Sequence, residues 1–142
     1  MAYLLDINVL IARVDPWHEH HERAKIWLNA RPDAGIVTCP LTENGFLRIY
    51  GHPSYPNGPG GPGVALEELR MIRSLPTHQF ITDSLSIDDP DSFHSLSSIG
   101  PRQITDLYLL ALAAKQRMSF VTFDTSIPAD RVVGGSAALV VI

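Results

Sequence analysis

Short, wholly apolar runs alternate along this chain with longer stretches in which apolar residues recur at helical spacing. Ala2–Leu5 is one such run, closed by Asp6, and helical character follows over Val9–Val14. Pro16–Asn29 carries Trp17, His21, Ala24, Ile26, Trp27 and Leu28 mostly at helical spacing, with Glu and Arg between them, which predicts a helix. After a turn at Arg31–Gly35, Ile36–Thr38 predicts a buried strand. Pro40 then opens a helix that runs to Tyr50. Gly51–Gly63 holds five glycines and four prolines at a three-residue proline period. That composition predicts polyproline II or an open loop and excludes a helix or a central strand. Val64–Leu75 predicts a helix, Phe80–Thr82 a strand, and Ser84–Gly100 an irregular stretch with a short helix around Asp91–Ser98. Pro101 opens the strongest helix, Arg102–Arg117, and strands are expected at Ser119–Phe123 and Leu139–Ile142. Strands that are short, apolar and separated by helices belong in a parallel sheet covered on both faces. The expected architecture is α/β, a three-layer α/β/α sandwich with a short central parallel sheet, in one domain spanning residues 1–142.

Composition narrows the function. The 142 residues are 45% hydrophobic and 18% charged, enough for one core and too apolar for global disorder. No apolar run approaches the roughly 18 residues of a membrane helix. The N-terminus lacks a basic region and Asp6 interrupts its first apolar stretch, so a cytoplasmic protein is expected. The single cysteine, Cys39, excludes an internal disulfide and a thiolate zinc cluster. Net charge is −4, the wrong sign for wrapping nucleic acid. A polyanionic substrate therefore needs a local basic patch or a bound cation.

Four carboxylates stand where such a cation would be held. In open parallel sheets ligands sit beyond the carboxyl ends of the strands. Asp6 follows the first strand at that end, and Asp124 follows Ser119–Phe123. Either alone also reads as an ordinary turn or helix-capping residue. Glu43 shares the apolar stripe of its helix with Phe46, Leu47 and Tyr50 and so points inward. It needs a partner there: a cation in the crevice, an arginine such as Arg48 or Arg102, or exposure at the helix end. Asp106, just ahead of Leu107–Ala114, reads alone as a helix-start residue favoured by the macrodipole. As a set, the four would repel one another unless a cation neutralised them. Oxygen-only ligands select hard ions, Mg²⁺ or Mn²⁺, and the chemistry that follows is metal-assisted attack of water on a phosphodiester.

Four segments carry a family resemblance: Leu4-Leu-Asp-Ile-Asn-Val-Leu10, Leu41-Thr-Glu-Asn-Gly-Phe-Leu-Arg48, Ile104-Thr-Asp-Leu-Tyr-Leu-Leu-Ala111 and Val121-Thr-Phe-Asp124. In order and spacing the chain resembles the PIN-domain family, and specifically the VapC-type toxins of bacterial toxin–antitoxin pairs. The resemblance implies a Mg²⁺- or Mn²⁺-dependent endoribonuclease that leaves 5′-phosphate and 3′-hydroxyl ends, an RNA substrate, a cognate VapB-like antitoxin and a homodimer. It makes Asp6 and Asp106 the primary metal ligands. Glu43 would ligate the metal or orient the attacking water, and Asp124 would complete the site directly or through water. Asn8 and Thr122 match supporting polar residues. Gly51–Gly63 matches no motif.

Other features are weighed against this reading. His18-Glu-His-His-Glu22 lacks the order of a zinc protease motif and reads as a solvated helix face. Arg13, Arg23 and Lys25 read as surface partners of Asp15, Glu19 and Glu22, and Trp17 and Trp27 as core residues. Asp88–Asp91 reads as a turn. Two rival functions remain. A haloacid-dehalogenase-like phosphotransferase would use Asp6 as nucleophile, but its second Asp is Asn8 here. A non-catalytic binding module of the same fold would have no physical need to cluster acids.

Overall fold

The inner strands of the sheet are apolar on both sides because each side is covered. The computed structural model describes residues 1–142. Its strands are β1 (Ala2–Leu5), β2 (Gly35–Thr38), β3 (His78–Phe80), β4 (Ser119–Thr122) and β5 (Leu139–Val141). All pair in parallel, in the order β3-β2-β1-β4-β5. Alternate side chains point to opposite faces. Leu4, Val37 and Phe120 enter one core; Leu5, Ile36 and Val121 enter the other.

The second core is covered by α1 (Ile7–Val14), α3 (Pro40–Tyr50) and α4 (Pro62–Arg73), with Trp27 and Leu28 of α2 (His21–Asn29) at its margin. The first is filled by α5 (Ile104–Lys115), whose residues 107 and 109–113 are all buried, with the short α6 (Gly135–Ala138) beside it. A helix apolar all round needs a cover on its outer side as well. Leu85, Phe93, Leu96 and Ile99 supply it, so the polar stretch 84–100 wraps α5, pinned by a bridge between Phe93 and Val132. The result is the α/β/α sandwich expected. No helix is long and apolar enough to cross a membrane.

Several expectations are corrected. The third strand is His78–Phe80, because Ile36–Thr38 pair with those residues and not with 80–82. No helix forms over 91–98; Asp89 instead accepts from the Asp91 N–H and the Ser92 hydroxyl in a turn. The second helix begins at His21, and residues 16–20 are turns. Pro62 is not loop but the first residue of α4. Residues 51–61 are not polyproline II, which carries no internal hydrogen bonds. They form successive turns closed by His52 N–H to Ile49 O, Tyr55 N–H to His52 O and Gly58 N–H to Tyr55 O. Gly51 lets α3 and α4 meet: a Cβ there would lie 2.4 Å from Leu47 O and 2.7 Å from Pro62 Cα. Trp17 is 75% exposed and is no core residue, whereas Trp27 packs edge-on against Tyr3. Arg13, Arg23 and Lys25 form no ion pairs; the chain's two are His20–Glu19 and Arg73–Glu43.

Candidate active site

The strand order places the site. From β1 the chain fills the sheet outward through β2 and β3, then returns to the other side of β1 with β4 and β5. Connections leaving β1 and β4 therefore diverge, and a crevice opens beyond their carboxyl ends. A crevice of about 370 Å³ lies there, bordered by Asp6, Asn8, His18, Tyr55, Asp106 and Asp124. A larger one, about 590 Å³, lies beside the amino ends of β2 and β3 and is bordered by no carboxylate.

Asp6 is 6% exposed and has its oxygens divided between two tasks. Oδ1 accepts from the Ile7 N–H at 2.7 Å and caps α1, so the ordinary capping role is real. Oδ2 accepts from the Thr122 hydroxyl at 2.7 Å. Burial raises the Asp6 pKa, these bonds partly oppose it, and Asp124 adds to the rise. Thr122 Oγ1 also accepts from the Asp124 N–H at 3.1 Å, so one buried hydroxyl ties the ends of β1 and β4 together. Asp124 Oδ1 accepts from the Ser126 N–H and hydroxyl, at 2.8 and 2.6 Å.

Asp106 stands in the first turn of α5 and reaches the crevice from the other layer. Burial, then the charges of Asp6 and Asp124, push its carboxyl up to about 7. Asn8 adds one more oxygen: its Oδ1 is buried and has no hydrogen-bond partner. An orphaned acceptor is rare in a folded interior and calls for a donor or a cation.

Glu43 does not border this crevice. Its Oε2 accepts from the Thr38 hydroxyl at 2.7 Å and from Arg73 Nη1. His78 Nε2 lies 2.8 Å from the same hydroxyl, which donates to Glu43 and so accepts from the ring. The arginine partner is thus Arg73 of α4, not Arg48 or Arg102. Thr38 at the end of β2 and Arg73 at the end of α4 together hold this carboxylate. The expected quartet divides into three acids in the crevice and Glu43 on its flank.

His18 and Tyr55 border the crevice as well, and sequence spacing assigns neither to it. Helical spacing over Pro16–Asn29 predicts His18 on a helix, whereas it lies in the turn before one, and a tyrosine inside a Pro/Gly stretch carries no periodic signal. The exposed turn of 16–20, signalled by Pro16, was the one clue to His18.

The donor set fits a hard divalent cation. Three carboxylates and an unsatisfied amide oxygen share a crevice short of positive charge, and burial, with the charges of the other two acids, raises the carboxyl of Asp106 to about 7. No three His, Cys, Asp or Glu side chains form a ready-made cage. A Mg²⁺ site, which keeps several waters, requires none.

Comparison with known proteins bears on the family and the fold. Residues 3–132 match the family model described as PIN domain. Ribonuclease VapC44 of Mycobacterium tuberculosis is 38% identical over 136 residues, covering 96% of this chain and 95% of that protein. VapC20 of M. tuberculosis, described as a Sarcin-Ricin loop cleaving toxin, superposes with a TM-score of 0.62 at 11% identity, covering 92% of this chain and 96% of the other. VapBC2 from Rickettsia felis, bound to a promoter DNA fragment, gives a TM-score of 0.51 at 14% identity over 90% of this chain and 94% of the other. At such identities the two structures attest the fold.

Proposed function

This chain belongs to the PIN-domain family, and from that premise we infer that it is a VapC-type endoribonuclease whose chemistry needs a divalent cation, Mg²⁺ or Mn²⁺, at the crevice. The convergence of Asp6, Asp106 and Asp124 at the switch point between β1 and β4 carries this reading. Asp6 and Asp106 hold the cation, Asp124 completes the set directly or through water, and Asn8 Oδ1 is the remaining donor. When bound, the cation supplies positive charge to the phosphate and lowers the pKa of a coordinated water.

The protein's own groups do the positioning. Thr122 holds Asp6 in register with the backbone at Asp124, so the two strand ends act as one rigid edge. Glu43 is assigned to the flank: paired with Arg73 and Thr38, it fixes the end of β2 and the start of α3 rather than gripping the cation. A cognate VapB-like antitoxin and a homodimeric state belong to the same reading. Support for the antitoxin is the extended identity to VapC-named relatives.

Purified protein incubated with total RNA tests the assignment. Cleavage is expected with Mg²⁺ or Mn²⁺ and none with chelator, leaving 5′-phosphate ends. Asp6→Asn is expected to lower the rate at least a hundredfold, and Glu43→Gln by about tenfold, the smaller loss marking a positioning role. Undiminished cleavage by the Asp6→Asn protein would overturn it.

A further inference from the structure

A three-ring cluster stands at the rim of the acidic crevice, and none of the chemistry above uses it. Phe123 lies between Thr122 and Asp124, so the backbone that sets two site residues also sets this ring. His20 packs on it with ring centroids 4.6 Å apart, and His18 lies 6.2 Å from it with the planes inclined by 27°. The two imidazoles are 5.7 Å apart. Of the three, His18 also borders the crevice with Asp6, Asp106 and Asp124.

The turn that presents His18 is tightly bonded. Its N–H donates to Asp15 O at 3.1 Å, its carbonyl accepts from the His21 N–H at 3.0 Å, and Trp17 N–H donates to Asp15 Oδ1 at 2.9 Å. His18 Nδ1 accepts from the His20 N–H at 3.0 Å, which leaves the ring proton on Nε2. Nε2 has no partner within the chain. Burial, with His20 nearby, lowers the His18 pKa and favours the neutral ring. The crevice rim therefore carries a held, flat aromatic ring with one free N–H at its edge.

Unpaired RNA bases are recognised by stacking on such rings and by hydrogen bonds to their edges. A protein of net charge −4 also gains little from non-specific phosphate attraction beyond the cation, so a base contact has affinity to add. Building on the ribonuclease reading, we propose that His18, backed by Phe123 and His20, is the platform on which one unpaired base beside the scissile phosphate stacks, with Nε2–H donating to an acceptor on that base. The cluster is a specificity element and selects single-stranded RNA at the cut.

The test uses a short single-stranded RNA spanning the mapped cut, cleaved by the full chain in Mg²⁺. His18→Ala is expected to raise KM about tenfold, by more than it lowers kcat, the loss expected for one base–aromatic stack. His18→Phe should recover most of that affinity while losing discrimination between bases. An abasic nucleotide beside the cut should slow the wild type about tenfold and leave His18→Ala little changed. As a second readout, 2-aminopurine at that position should be quenched on binding Asp6→Asn protein and stay bright when His18→Ala is added. Equal KM and equal abasic sensitivity in wild type and His18→Ala would overturn the platform. So would wild-type cleavage indifferent to abasic substitution on both sides of the cut, which decides the matter even if the alanine variant fails to fold. If the wild type cuts no RNA in Mg²⁺, the ribonuclease reading falls instead, and quenching of a single-stranded RNA carrying 2-aminopurine at every purine, by wild type against His18→Ala, still judges the platform.

Discussion

Asp106 is held where an isolated carboxyl would rather not ionise. Burial and the charges of Asp6 and Asp124 lift it to about 7, so near neutral pH the metal-free crevice works against the fold. Asp106→Asn removes one of three mutually repelling charges and keeps the shape. We expect the metal-free variant to be more stable by about 1 kcal/mol at pH 8, a small gain because the crevice is open to screening water. Ribonuclease activity should be lost in the same variant. Urea unfolding in chelator, beside an RNA cleavage assay, checks both halves. Stability gained with activity lost is the signature of a charge kept for chemistry. Asp6 shows the complementary case: one oxygen caps a helix and the other meets Thr122, so its structural and chemical roles are not alternatives.

The most informative element is the Pro/Gly stretch. Its turns bring Tyr55 against Tyr50, at 5.1 Å between centroids, and the Tyr55 hydroxyl donates to Asp15 Oδ2 at 2.6 Å. Asp15 is 2% exposed and also holds the turn carrying His18 through Trp17 N–H and its own carbonyl. One buried carboxylate thus ties two walls of the crevice together. Tyr55→Phe removes its hydroxyl donor and should cost about 1–3 kcal/mol, the usual penalty for an acceptor left buried without its partner. Equilibrium unfolding measures it. An unchanged midpoint would mean that water replaces the lost donor.

For the whole molecule, pH exposes how much of the core depends on neutral groups. Burial pushes the Cys39 thiol up to about 11 from its ordinary 9.0. Burial and donation to Asp15 likewise raise the Tyr55 phenol above its ordinary 10.0. Above pH 9 the unfolded chain releases these protons before the folded one does. Stability is therefore intact below pH 9 and falls as pH rises toward 11, by about 2 kcal/mol from the thiol. Cys39→Ala should flatten that decline, as thermal melts between pH 8 and 11 would show. At the same scale, the strand order creates the crevice: an arrangement that placed β4 elsewhere would leave Asp6 and Asp124 as two unrelated turn residues.

Apolar periodicity alone determined the layer order, the parallel sheet and the helix after Pro101, because burial on two faces leaves a local imprint on every strand and helix. The positions of Asp6 and Asp124 at strand ends were legible for the same reason, as were the four family-like segments. Tertiary structure decided what depends on partners distant in the chain. Glu43 met Arg73, thirty positions on, since α4 packs beside α3. His18 came to the crevice because Asp15 stops α1 and bonds the turn after it, and Tyr55 came because a chain of turns folds back onto the same carboxylate. Spacing along a sequence reports which side of an element a residue occupies; only the packing of elements determines which charges and rings face one another.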